Sequence, residues 1–170
     1  AGNSGIGTLA QLTSQIFEDV AGVQLTSVAY KGESALLPDL VAGRLAMGFL
    51  NLPSVAPLIK TGQLRALAVS SPHPVDSLPD VPTVRSLNYP SLEVQGWAAL
   101  VAPRGTIPTA GLARLEVLLA KALASDQVKT RFATLYVAPV IESRSATARF
   151  LASESKKYAE IIKSHGIKLH

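Results

Sequence analysis

Five residues near the start of the chain, Ser4-Gly5-Ile6-Gly7-Thr8, have the make-up of an anion-binding turn. They stand directly ahead of Leu9, Leu12, Ile16 and Val20, the spacing of one buried helix face. The first N–H groups of a helix have no intrahelical partner, and the helix dipole places partial positive charge beside them. A carboxylate or phosphate is the natural guest of such a turn, with the Ser4 and Thr8 hydroxyls as further donors. The competing reading is an N-cap and a tight turn with no ligand at all.

Two further groups stand where ligands bind in open α/β sheets, at the carboxyl ends of predicted strands. Tyr30-Lys31-Gly32 follows a strand expected over 24–29, and Asn51 follows one expected over 44–50. Tyr30 offers a hydroxyl on a flat apolar body, and Gly32 allows a close backbone approach. A solvated lysine, a core tyrosine and a capping asparagine are the bland alternatives.

Catalytic chemistry finds no footing. The run Gly5-x-Gly7-x-x-Ala10 fits the dinucleotide fingerprint, but the next strand ends in Ala29-Tyr30-Lys31, with no carboxylate for a ribose hydroxyl. No Gly-Lys-Ser/Thr and no Gly-x-Ser-x-Gly occurs. His73, His165 and His170 lack metal-ligand spacing, and Glu18-Asp19 are adjacent and so point to different sides of their helix. We expect no enzyme, no metal and no cofactor.

The elements that hold these residues read as strands alternating with helices. Helices are expected from Gly7 to about 21, over 34–41, 53–60, around 112–122, 126–135 and 145–164. Strands are expected over 24–29, 44–50, 64–70, 93–101 and 136–140, with Trp97 as a core anchor. That alternation implies a parallel sheet, because parallel neighbours need crossover connections. Pro72, Pro74, Pro79, Pro82 and Pro90 mark a connecting stretch between two lobes.

Composition agrees with a binding domain. The 170 residues are 48% hydrophobic, 16% charged and 5% aromatic, with no cysteine. Disordered chains, disulfide frameworks and thiolate metal sites are excluded. A net charge of +4 suits small anions, yet the basic residues are scattered, so no nucleic-acid partner is expected. Ala1-Gly2-Asn3-Ser4 is not a signal-peptide start, and a preceding segment is expected in the gene.

The order of motifs resembles one family throughout. Ser4-Gly5-Ile6-Gly7-Thr8 is followed by Val28-Ala29-Tyr30-Lys31-Gly32, then Asp39-Leu40-Val41-Ala42-Gly43-Arg44-Leu45. Phe49-Leu50-Asn51-Leu52-Pro53-Ser54, Gly62 to Val69, Leu78-Pro79-Asp80-Val81-Pro82-Thr83-Val84 and Gly96-Trp97 to Thr106 complete the series. All are similar to the Bug family, the extracytoplasmic substrate-binding proteins of the tripartite tricarboxylate transporters.

That resemblance implies an α/β, periplasmic binding protein type II-like fold, here one complete lobe plus the C-terminal part of the other. Residues 1–90 would form the ligand-binding lobe, and 91–170 the crossing strand and the returning part of the first lobe. It implies a periplasmic location, capture of a small mono- or dicarboxylate, and delivery to a membrane permease. Ser4, Gly5, Gly7, Thr8, Gln11, Tyr30, Lys31, Gly32 and Asn51 would bind the ligand. Gln11 stands where family members commonly have His, and Leu50 where they commonly have Asp. The Leu50 site should prefer a less cationic, more apolar ligand, a preference that Leu50→Asp should alter in a binding assay. The family's segment upstream of these motifs is absent from this sequence, so half of the ligand shell is expected to be missing and self-association could cover the bare surface. A ligand-sensing or protein-interaction domain of the same fold is the alternative, with a dinucleotide-dependent enzyme further behind.

Overall fold

A computed structural model describes residues 1–167. Two compact units divide the chain: Ala1–Trp97 with the chain from Tyr158 onward, and Ala98–Lys157.

The first unit is built on a small parallel sheet. Strand β1 (Gly2–Asn3) pairs with β2 (Val28–Ala29), Gly2 opposite Val28 and Asn3 opposite Ala29. A parallel bridge also joins Gly2 to Gly48, so β1 lies between two neighbours. Helix α1 (Leu9–Ala21) crosses from β1 to β2, and α2 (Glu33–Val41) crosses from β2 towards Gly48. Helix α3 (Leu52–Lys60) follows that bridge, and a short 3-10 turn spans Pro90–Leu92.

The helices lie where the sequence pattern places them, and the strands are shorter. The expected strand 24–29 reduces to two residues, 44–50 to the bridge at Gly48, and 64–70 to a bridge between Val69 and Thr83. The expected strands 93–101 and 136–140 form no strand among the described residues. Pattern identifies extended apolar chain, but a ladder needs a partner backbone of equal length. Here β1 supplies two residues before the chain turns at Ser4. Val69 meets a segment that includes Pro82, which accepts from the Val69 N–H but has no N–H of its own to extend the ladder.

Two apolar patches hold this unit. Ile16, Val84, Leu92 and Val94 form one, covered by Leu9, Phe17, Tyr158 and Ile161. Leu36, fully buried, and Leu45 form the other, against Gly2. Trp97 is half exposed and does not anchor the core.

The chain at His165 is tied to α1. Its Nδ1 lies 3.0 Å from the Ile161 carbonyl and its Nε2 3.2 Å from Asp19 Oδ1. The Ile161 carbonyl first, and then Asp19, raise the imidazole above its ordinary value of 6.5, against the opposing effect of burial. A raised folded-state value stabilises the protonated form. The contribution is therefore complete below 6.5 and is lost as pH rises through the higher folded value. Thermal melts should show stability falling across the range just above 6.5, and His165→Gln should flatten that slope. An unchanged slope in the variant would assign the pH dependence to another group.

The second unit contains α4 (Thr109–Ala124), α5 (Asp126–Thr134) and the first part of α6 (Arg144–Ser164). Ser125 joins the first two, donating to the Ala122 carbonyl at 2.7 Å and accepting from the Val128 N–H. Arg144 clasps Glu116, with Nε at 2.9 Å and its backbone N–H at 3.1 Å. Those contacts hold the Glu116 carboxyl below its usual range. None of the described residues of this unit is buried, and Val117, Leu118 and Ile141 are each at least half exposed.

Candidate ligand-binding site

The turn at the start of α1 is shaped by its own hydrogen bonds. Asn3, almost completely buried, donates from Nδ2 to Ser27 Oγ at 2.8 Å and accepts the Gly5 N–H at 3.0 Å. Gly5 and Gly7 have φ of +130° and +74°, backbone that side-chain-bearing residues rarely adopt. Thr8 is the N-cap: its Oγ1 accepts from the Gln11 N–H and donates to the Gly5 carbonyl at 2.7 Å. Gln11 reaches back, Oε1 accepting the Gly7 N–H at 2.6 Å. The first helical carbonyl bond runs from Leu12 N–H to Thr8, so the Leu9 and Ala10 amides precede the α1 ladder.

That arrangement is chemically informative. An amide oxygen, Gln11 Oε1, already sits on the Gly7 N–H. The Thr8 proton goes to Gly5, so Thr8 fixes the turn and does not donate outward. A turn of this kind can receive an anion at its free backbone amides.

Tyr30 is brought to the turn by two bonds, from its own N–H to the Asn3 carbonyl at 3.0 Å and from Gly32 N–H to the Ser4 carbonyl at 3.2 Å. Its hydroxyl donates to Asp39 Oδ2 at 2.7 Å, and Arg44 Nη1 lies 2.6 Å from Asp39 Oδ1. The hydrogen bond to Asp39, with burial and the Asp39 charge, pushes the phenol up. The bonds from Tyr30 and Arg44 hold Asp39 down. Tyr30 therefore presents a ring and an oxygen that can accept, its proton being already committed. Lys31 is exposed beside it.

Asn51 sits at the N-cap of α3, yet its side chain caps nothing. Glu33 Oε1 accepts from Asn51 N–H at 2.9 Å and from Asn51 Nδ2 at 2.8 Å, and Glu33 Oε2 accepts from Ser54 Oγ. A Cβ on Gly96 would lie 3.7 Å from Asn51 Oδ1 and 4.0 Å from Leu9 Cδ2, so Asn51 meets the start of α1 at Gly96. The structure thus brings Ser4, Gly5, Gly7, Thr8, Gln11, Tyr30 and Gly32 together around one turn, with Asn51 at its far corner. Sequence reasoning passed over Asn3, Glu33, Asp39 and Ser54 as site residues. Only the Thr8-x-x-Gln11 spacing of a capping box was there to be read.

Two clefts, of about 220 and 450 Å³, lie elsewhere on this unit, one at Pro79 to Ser86 and one at Gln15, Asp19 and His165. Among the described residues no cluster could hold a metal ion, and no helix is long and apolar enough to cross a membrane. The β1–turn–α1–β2 order suits the dinucleotide fingerprint, but the end of β2 bears Tyr30 and Lys31 in place of the required acid.

Comparison with known proteins decides the family. The tripartite tricarboxylate transporter family receptor matches residues 1–167. The chain belongs to this family.

Receptors of the family resemble the chain along its length. Protein BugT of Bordetella pertussis is 34% identical over 164 residues, 96% of this chain and 50% of BugT. The chain therefore spans about half the length of such relatives. A "UPF0065 protein in clcB-clcD intergenic region" of Pseudomonas knackmussii is 30% identical and is itself covered over 96% of its length. Among solved structures, an R. palustris protein with adipate superposes with a TM-score of 0.82 at 31% identity, over 98% of this chain and 55% of its own. MatC from Rhodopseudomonas palustris with bound malate gives 0.76 at 25% identity, over 95% and 55%. The periplasmic binding protein BugD gives 0.78 at 26% identity, over 98% and 56%. The fold is thus the α/β architecture of periplasmic binding proteins of this family.

Proposed function

We propose that the chain serves as a solute-binding receptor, capturing a small mono- or dicarboxylate and passing it to the membrane permease of a tripartite tricarboxylate-type transporter. It is a binding module, not an enzyme, and it works in the periplasm. Residues 1–90 act as the ligand-binding lobe, and 91–170 as the crossing segment with the returning part of the other lobe. Self-association of the chain, covering exposed apolar residues such as Val117, Leu118 and Ile141, is part of this reading.

The observation that carries this reading is the turn at the start of α1. Two glycines at positive φ, a Thr8 cap and the unladdered amides of Leu9 and Ala10 support a place for one carboxylate there. Relatives solved with adipate and malate point to the same ligand chemistry. Ser4, Gly5, Gly7, Thr8 and Gln11 contact or shape that end, while Tyr30, Lys31, Gly32 and Asn51 line the approach.

Native mass spectrometry of the chain with a mixed pool of aliphatic and aromatic carboxylates tests the reading. A retained carboxylate is the expected result. Retention of a dinucleotide in place of every carboxylate would overturn it.

A further inference from the structure

We propose that Glu33 is a positioning and specificity-determining residue of this site: it locks the Asn51 amide and makes the far corner select a neutral hydrogen-bond donor over a second carboxylate. This rests on the carboxylate reading above and extends it to the other end of the ligand.

The argument starts from what Glu33 satisfies. An ionised carboxylate accepts hydrogen bonds and donates none. Glu33 takes three, from the Asn51 backbone, the Asn51 side chain and Ser54. It lies in the first turn of α2 and against the first turn of α3, so its charge faces the positive ends of two helices. It holds the Asn51 backbone N–H and the Ser54 hydroxyl at the start of α3, where the Asn51 side chain makes no cap bond of its own.

The orientation of Asn51 follows. Because Glu33 can only accept, Nδ2 must face it, and Oδ1 must face the other way. Oδ1 is the atom found at Gly96, where a Cβ would come into ordinary contact with it and with Leu9. The corner one residue past the Thr8 cap thus presents a carbonyl oxygen backed by a fixed negative charge. Both repel a carboxylate and both attract an O–H or N–H group. Leu50, next in sequence, brings no charge to offset this. A carboxylate held at the glycine turn is then best completed by a hydroxyl or amide N–H at its other end.

Isothermal titration of the chain with adipate and with ω-hydroxycaproate, two probes of equal chain length, tests this. The chain is expected to prefer the hydroxy acid by roughly tenfold or more, as two like charges a few ångströms apart near a surface would require. Glu33→Gln should bring that ratio close to one, and the Asn51 side-chain amide signals should move in a ¹⁵N–¹H spectrum. Ser54→Ala, which keeps the Glu33 charge, should leave the ratio in place. Preference of the unaltered chain for adipate overturns the proposal without any variant. Binding of both probes with the same ratio in Glu33→Gln overturns it while leaving the carboxylate reading intact. Failure of both probes to bind the unaltered chain overturns the reading and the selectivity together.

Discussion

Leu36→Ala should cost the first unit roughly 2–5 kcal/mol, the range for deleting a fully buried leucine. Leu36 has no exposed surface and is the buried residue of α2. Its Cδ1 lies 2.8 Å from the point where a Cβ on Gly2 would stand, and Leu45 Cδ1 lies 2.7 Å from it. The backbone of β1 therefore rests directly on these two side chains. Removing one leaves a cavity under the residue that leads into Asn3 and the glycine turn. Since whole domains are stable by only about 5–15 kcal/mol, a loss of this size should be plain in urea titration and should abolish ligand retention as well. A loss below about 1 kcal/mol would mean that the floor of β1 collapses to fill the gap, at the low end of the cavity cost.

Thr8→Ala should lower carboxylate affinity by roughly 1–3 kcal/mol, about five- to 150-fold in Kd. The hydroxyl makes two bonds, to the Gly5 carbonyl and from the Gln11 N–H. Losing them frees the turn on both sides of Gly7, so its amides no longer converge before the ligand arrives. Part of the effect is helix stability, for which an N-cap Thr is worth about 0.5–2 kcal/mol. Thr8→Ser keeps both bonds and should bind like the unaltered chain. If Thr8→Ala bound with unchanged affinity while melting earlier, the turn would be a cap and nothing more.

Legibility in the sequence followed the range of each interaction. The helix at 9–21 and its glycine turn could be read because apolar spacing and cap are both local to one stretch of chain. So could the family membership, through motifs that run in order along the whole chain. Strand lengths could not, because β1 pairs with residues that lie beyond two separate helices. Glu33 and Asn51 are 18 residues apart, and their bond joins the first turn of α2 to the start of α3 only once the chain is folded. Asp39 was visible only as part of a motif; its grip on the Tyr30 hydroxyl changes what Tyr30 can offer a ligand. Asn3 carries no sequence signal, yet its buried amide shapes the loop from below.

The central claim is that a carboxylate is received by the α1 turn. The most direct measurement is a ¹⁵N–¹H titration of the chain with a small carboxylate such as adipate. The account predicts that the amides of Gly7, Leu9 and Ala10 move first and furthest, with the Gln11 side-chain amide shifting as it is displaced. Saturable shifts confined to the cleft at Gln15, Asp19 and His165, with the turn unmoved, would contradict it.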